Sequence, residues 1–189
     1  MPADRSGWGL AAATGLLLAW PAMAPLAAQG HAAAEAGSSA LPAGWRVQGR
    51  ATMRFLGLPV YDATLTAPAA LSPEAWPTQP LALTLQYHRS LRGEAIAERS
   101  LQEMRRGGAI GDAQAARWLA FMKASFRDVA AGDRIVGQWW PAAGKVVVQV
   151  NDDAPRELVD AEFGTRFFGI WLASHTSDPA LRARLLGSS

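Results

Sequence analysis

Residues 44–56, GWRVQGRATMRFL, set apolar and polar side chains at alternate positions. Trp45, Val47, Ala51, Met53 and Phe55 share one parity, and Arg46, Gln48, Arg50, Thr52 and Arg54 share the other. A period of two with one charged side predicts a strand buried on a single face. A second strand reading, LPVYDATLTA over 58–67, follows directly after Gly57. Gly57 and Pro59 mark a bend or bulge between the two, because proline has no N–H to give a central ladder. The excursion PAALSPEAWPTQP leads to a third strand, LALTLQYHR over 81–89, whose buried parity holds Leu81, Leu83, Leu85 and Tyr87.

The period then changes to that of helices. Ala97, Leu101 and Met104 stand at i, i+4, i+7 in 93–106. Ala115, Leu119, Met122 and Phe126 continue the spacing in 113–127, with Asp112 as the expected N-cap. GDRIVGQWW (132–140), the turn PAAG and KVVVQV (145–150) read as a hairpin, in which one of Trp139 and Trp140 faces the core and the other a cleft. A helix over 161–173 follows, capped by Asp160, with Phe163, Phe167 and Ile170 in line. The last helix has Asp178 as N-cap, Pro179 at its first position and Gly187 after its last turn. Runs of strands and runs of helices, without strict alternation, predict an α+β fold with an antiparallel sheet. The helices cover one face and the other stays wet.

The chain begins with one basic residue, Arg5, ahead of an uncharged run from Ser6 to Ala34. The apolar core GLAAATGLLLAW is shorter than the roughly 20 residues a spanning helix needs. Small residues follow it, so residues 1–34 read as a secretory signal peptide, cleaved somewhere between 24 and 34. This places the protein in the periplasm or outside the cell, with no stable membrane insertion after cleavage. Residues 35–43 read as a flexible lead-in and 44–187 as one domain.

Composition excludes several chemistries. There is no cysteine, hence no thiol nucleophile, thiolate metal site or disulfide. His88 and His175 stand alone, without metal-ligand spacing, and Asp152-Asp153 reads as a turn. GGAIG joins two helices and lacks the strand-turn-helix context of a phosphate loop. No G-x-S-x-G occurs. Net charge is +2 and no basic run exceeds two residues, so nucleic acid is not an expected partner. No metal and no cofactor is expected.

R-F-x-G-x-x-V-Y-x-A-x-L at 54–65, GD before an aromatic hairpin, and FFGIWL…DPALRARLLG near the end together resemble the chalcone isomerase-like superfamily, in particular its secreted bacterial members. The likeness covers Gly44 to Gly187. It implies an open-faced β-sandwich, a curved antiparallel sheet packed by a layer of helices, with a ligand cleft between them. Plant enzymes of the superfamily isomerise chalcones without a cofactor, using an arginine and hydroxyl, lysine and amide side chains. Plastid relatives bind fatty acids and are not enzymes. The positions matching the enzyme's set hold Ala43, Leu56, Arg92, Ala95 and Arg99 here. Losing one charge that stabilises a developing anion raises a barrier by about 3 kcal/mol, and several losses compound. The resemblance thus implies the scaffold of the site without the side chains of the plant reaction, and no catalytic residue is assigned.

Four residues are candidates for ligand binding. Tyr61 and Tyr87, the two tyrosines, are either core aromatics with hydroxyls satisfied at the rim or phenols facing the cleft. Arg89 shares the parity of Tyr87 and either meets a carboxylate ligand or pairs with Glu94 or Glu98. Arg54 either faces the cleft or solvent. The leading expectation is a periplasmic binding module for an apolar small molecule such as a fatty acid. A cofactor-free isomerase and an envelope interaction protein without a small ligand are the alternatives.

Overall fold

A computed structural model describes residues 42–187. The signal-peptide reading, its cleavage options and most of the lead-in lie outside the described residues. Six strands form one antiparallel sheet in sequence order: β1 Arg46–Phe55, β2 Leu58–Ala67, β3 Leu81–Tyr87, β4 Arg134–Trp140, β5 Lys145–Val150 and β6 Arg156–Val159. Four α-helices lie on one face: α1 Gly93–Met104, α2 Asp112–Ser125, α3 Ala161–Leu172 and α4 Pro179–Leu185. The expected α+β architecture, an antiparallel sheet with helices on one face, is what forms, but the other face is not wet throughout: Thr66, Ala82 and Val136 on it are buried.

The buried parity of β3 is as expected. Leu81, Leu83, Leu85 and Tyr87 are all buried, and they pair across to Leu65 and Tyr61 on β2 and to Trp139 and Ile135 on β4. β1 departs from simple alternation. Val47 pairs with Thr66 and Gly49 with Leu65, so Gln48 is an extra residue and the parity inverts there. Ala51 and Met53 keep the helix-facing side, whereas Val47 is exposed on the open face. Trp45 lies against Trp140 with ring centroids 5.5 Å apart. A second register shift falls between Met53 and Arg54, with Val60 as the extra residue on β2. The bulge expected beside Pro59 is therefore present, and Leu56-Gly57 forms the tight turn. Both turn residues have positive φ, 50° and 80°.

Helix boundaries follow local chemistry. Asp160 Oδ1 accepts the N–H of Phe163, and Asp178 Oδ1 accepts that of Leu181, as expected of caps. Asp112 does not cap: it is the first residue of α2 and Gly111 is the N-cap. An acid in the first turn still complements the helix dipole. α1 has no cap of its own, but Asp128 beyond α2 accepts the N–H of Gly93 at 2.9 Å. On α2 the core is reached by Ala115, Trp118 and Met122, with Leu119 only half-buried. The indole of Trp118 donates to Asp160 Oδ2 at 2.8 Å, tying α2 to the start of α3. α3 carries the aromatic centre of the core: Phe163 stacks on Phe167, and Phe167 meets Phe168 and Trp171 edge-on. Each such side chain contributes roughly 1.5–3 kcal/mol on burial.

Candidate functional site

Sheet and helices do not close completely. Between β1–β4 and helices α1, α3 and α4 lies a cavity of about 250 Å³. Leu85, Ile135, Phe126, Phe167 and Ile170 give it apolar walls. It is reached where Ala95, Arg99 and Ser177, all exposed, line its edge.

Both tyrosines named from the sequence line this cavity. Their rings meet edge-on at 5.7 Å, because Tyr61 and Tyr87 are directly paired on β2 and β3. The Tyr61 hydroxyl accepts the indole N–H of Trp171 at 2.9 Å. Burial pushes the Tyr61 phenol up to about 12, against the Trp171 hydrogen bond, which lowers it. The nearby carboxylates of Asp178 and Glu103 add to the rise. Burial likewise pushes the Tyr87 phenol well above its ordinary value. Both are neutral donors at any physiological pH.

The other two candidates fall elsewhere. Arg54 stands on the parity facing away from the helices, at the hairpin end, and donates to the Gly57 carbonyl at 3.2 Å. Arg89 lies past the last residue of β3 and is exposed. Neither lines the cavity. The pairing expected of Arg89 with Glu94 or Glu98 does not form, since Lys123 holds both acids and Arg92 also holds Glu94.

Among the positions taken from the resemblance, Ala95 and Arg99 line the cavity, and Arg92 pairs with Glu94 outside it. Leu56 is at the exposed hairpin turn and Ala43 in the turn before β1. Trp139 and Trp140 both miss the cavity. The former is core, donating to the Pro77 carbonyl at 2.9 Å, and the latter lies on the open face.

The cavity's main polar feature was not singled out in the sequence. Glu103 on α1 is 8% exposed and lines the cavity. Its Oε1 pairs with Arg99, but its Oε2 is buried without a hydrogen-bond partner. The guanidinium of Arg106 is 3.7 Å from that oxygen, too far for a hydrogen bond. Tyr87, whose ring is buried, lines the cavity as well. A readable signal existed: Ile96, Ser100 and Glu103 sit at i, i+4, i+7 beside the apolar stripe of α1. A glutamate on that flank is partly sheltered by geometry alone.

The described residues contain no group of His, Asp or Glu side chains able to hold a metal ion. None of their helices is long and apolar enough to cross a membrane.

Comparison with known proteins agrees with this architecture. An uncharacterized protein of Haemophilus influenzae is 30% identical over 111 residues, covering 59% of this chain and 54% of that one, so the match spans about half the relative's length. The fold is similar to that of the Arabidopsis thaliana fatty-acid binding protein AtFAP1, with a TM-score of 0.58 and 13% identity over 78% of this chain and 89% of the other. Residues 52–187 match the chalcone isomerase-like family model, and the chain belongs to that family.

Proposed function

We propose that this protein binds an apolar small molecule with one polar end, of the fatty-acid or fatty-alcohol class, in the cavity between sheet and helices. The observation that carries this reading is Glu103 Oε2, buried without a hydrogen-bond partner, in a mostly apolar cavity of about 250 Å³. A buried polar atom without a partner is costly, and a ligand can supply the missing bond. The volume lies just below the range of about 300–1,000 Å³ usual for small-molecule sites, which favours a short or medium chain over a long one. The similar fold of a fatty-acid binding protein supports a binding role. The signal-like start of the chain supports a periplasmic setting.

The site's polar groups narrow the head. Tyr87 offers a donor and Glu103 Oε2 an acceptor. A fatty alcohol or a protonated fatty acid satisfies both. An ionised carboxylate satisfies the tyrosine and the Arg99 guanidinium at the cavity edge but leaves Glu103 Oε2 without a donor. The tail lies among Leu85, Ile135 and Phe167. Calorimetric titration of the delipidated protein with dodecanol and dodecanoic acid tests this. Dodecanol binds with the same affinity across mildly acidic and neutral pH, while dodecanoic acid tightens as pH falls toward its own pKa. Absence of binding by both, with nothing apolar seen in native mass spectra of fresh protein, would remove the proposal.

A proton-transfer isomerase is the second reading. The same observation favours it, because a carboxylate oxygen without a hydrogen bond, in a mostly apolar cavity also lined by two phenols, is an acid–base set. It requires turnover that Glu103→Gln abolishes, whereas a binding module keeps its ligand and turns nothing over.

A further inference from the structure

The β1–β2 turn breaks two local rules at once. Among the described residues five large apolar side chains are exposed, and three of them are here: Phe55 at 59%, Leu56 at 86% and Leu58 at 59%. Leu56 also holds the left-handed backbone, φ 50°, at a turn position that suits asparagine or glycine. Neither burial nor backbone preference explains a leucine there. A local rule broken without structural gain points to function.

The two arginines beside the turn are held in no ion pair among the described residues. Arg54 precedes Phe55, and Arg89 follows His88, whose N–H bonds to the Val60 carbonyl, so it lies on the adjoining strand end. Asp62, the acid that senses Arg54, is already engaged by Thr52 at 2.6 Å and His88 at 2.9 Å. Three apolar side chains on one turn fall well short of the roughly 800 Å² per partner that a stable protein interface buries. A lipid surface needs no such area: it offers an apolar interior and anionic headgroups without a fixed shape.

We propose that the β1–β2 turn is a docking element for an anionic lipid surface, with Phe55, Leu56 and Leu58 entering the interface and Arg54 and Arg89 meeting the headgroups. Met53 and Val60, the residues flanking the hairpin end, line the cavity, so docking sets that side of the cavity close to the lipid.

The chain has no cysteine, so single labels are clean. An environment-sensitive fluorophore is attached to the full chain through Phe55→Cys, and in a control through Val159→Cys, whose parent residue is 71% exposed on the far edge strand. Vesicles are phosphatidylcholine alone or phosphatidylcholine with phosphatidylglycerol. The label at 55 blue-shifts and is quenched by spin-labelled lipid only with phosphatidylglycerol, and the label at 159 stays in water. Adding Leu56→Asn weakens the shift about tenfold in lipid concentration, and Arg54→Gln or Arg89→Gln about fivefold each. A label at 55 that stays in water overturns the proposal, as does equal burial of both labels. So does a blue shift without vesicles that rises with protein concentration, which assigns the turn to contact between copies of the chain.

Discussion

Tyr61 joins the cavity to the core through one hydrogen bond, from the Trp171 indole at 2.9 Å. Tyr61→Phe removes the acceptor and leaves that indole N–H buried and unpaired, costing about 1–3 kcal/mol in a urea titration. An unchanged midpoint would mean that the indole finds another acceptor. That the two tyrosines share a site was readable, because both sit on the parity of strand residues that pair. Their partners were not: Trp171 is 110 residues further along the chain, and no local pattern signals which indole meets which phenol. Glu103 was hidden for another reason. Glutamate on a helix is normally a solvated residue, and its place beside Ile96 and Ser100 on the flank of the α1 stripe marks this one only as partly sheltered; packing is what turns it fully inward. Leu56 gives the reverse test. Leu56→Asn relieves the left-handed strain and raises stability by about 1 kcal/mol, seen as a higher melting temperature. The same change weakens lipid docking, so a gain in stability accompanied by a loss of vesicle binding separates the two roles of this turn.

The elements themselves were largely legible, since five of six strands and three helices show in the spacing of their apolar residues and α4 in the signals at its two ends. β6 was missed: Arg156–Val159 is short, at the sheet edge, and three of its four residues are exposed, so it has no buried parity to betray it. The parity of β1 was readable only between its two bulges. A bulge inserts one residue without any compositional mark, and Gln48 inverts every assignment before it. Its neighbour Gly49 explains how α4 reaches the sheet. A Cβ there would stand 2.1 Å from the carbonyl oxygen of Arg184 and 2.4 Å from that of Leu185. Backbone atoms at the end of a helix cannot yield as a flexible side chain does. Gly49→Ala therefore displaces α4, which supplies Leu181 to the cavity and is capped by Asp178 at its edge. The expected result is a loss of about 1–3 kcal/mol together with weaker dodecanol binding. Full affinity in a destabilised variant would show that α4 does not shape the cavity.

For the molecule as a whole, family and architecture were accessible because the order of elements and the 54–65 motif survive in the sequence, whereas the contents of the cavity depend on contacts among four elements. The same burial pattern sets the pH range of stability. On the alkaline side, a phenol that ionises at about 12 folded and near 10 unfolded contributes its full stability below pH 10 and loses it as pH rises toward 12. For Tyr61 the full difference is roughly 2–3 kcal/mol, and Tyr87, shifted in the same direction, steepens the fall. On the acid side, the hydroxyl of Thr52, with help from His88, holds Asp62 below its ordinary value of 3.8. The Ala130 N–H and the Asn151 amide hold Asp133 down similarly. Both contribute stability above that value and lose it as pH falls through the lowered one. Urea midpoints measured across pH should be flat from about pH 5 to 9, then fall below about 4 and above about 10. Tyr61→Phe should lower the plateau but flatten the alkaline limb, because one of the two buried phenols no longer titrates. An alkaline limb of unchanged steepness in Tyr61→Phe would assign the loss to Tyr87 alone.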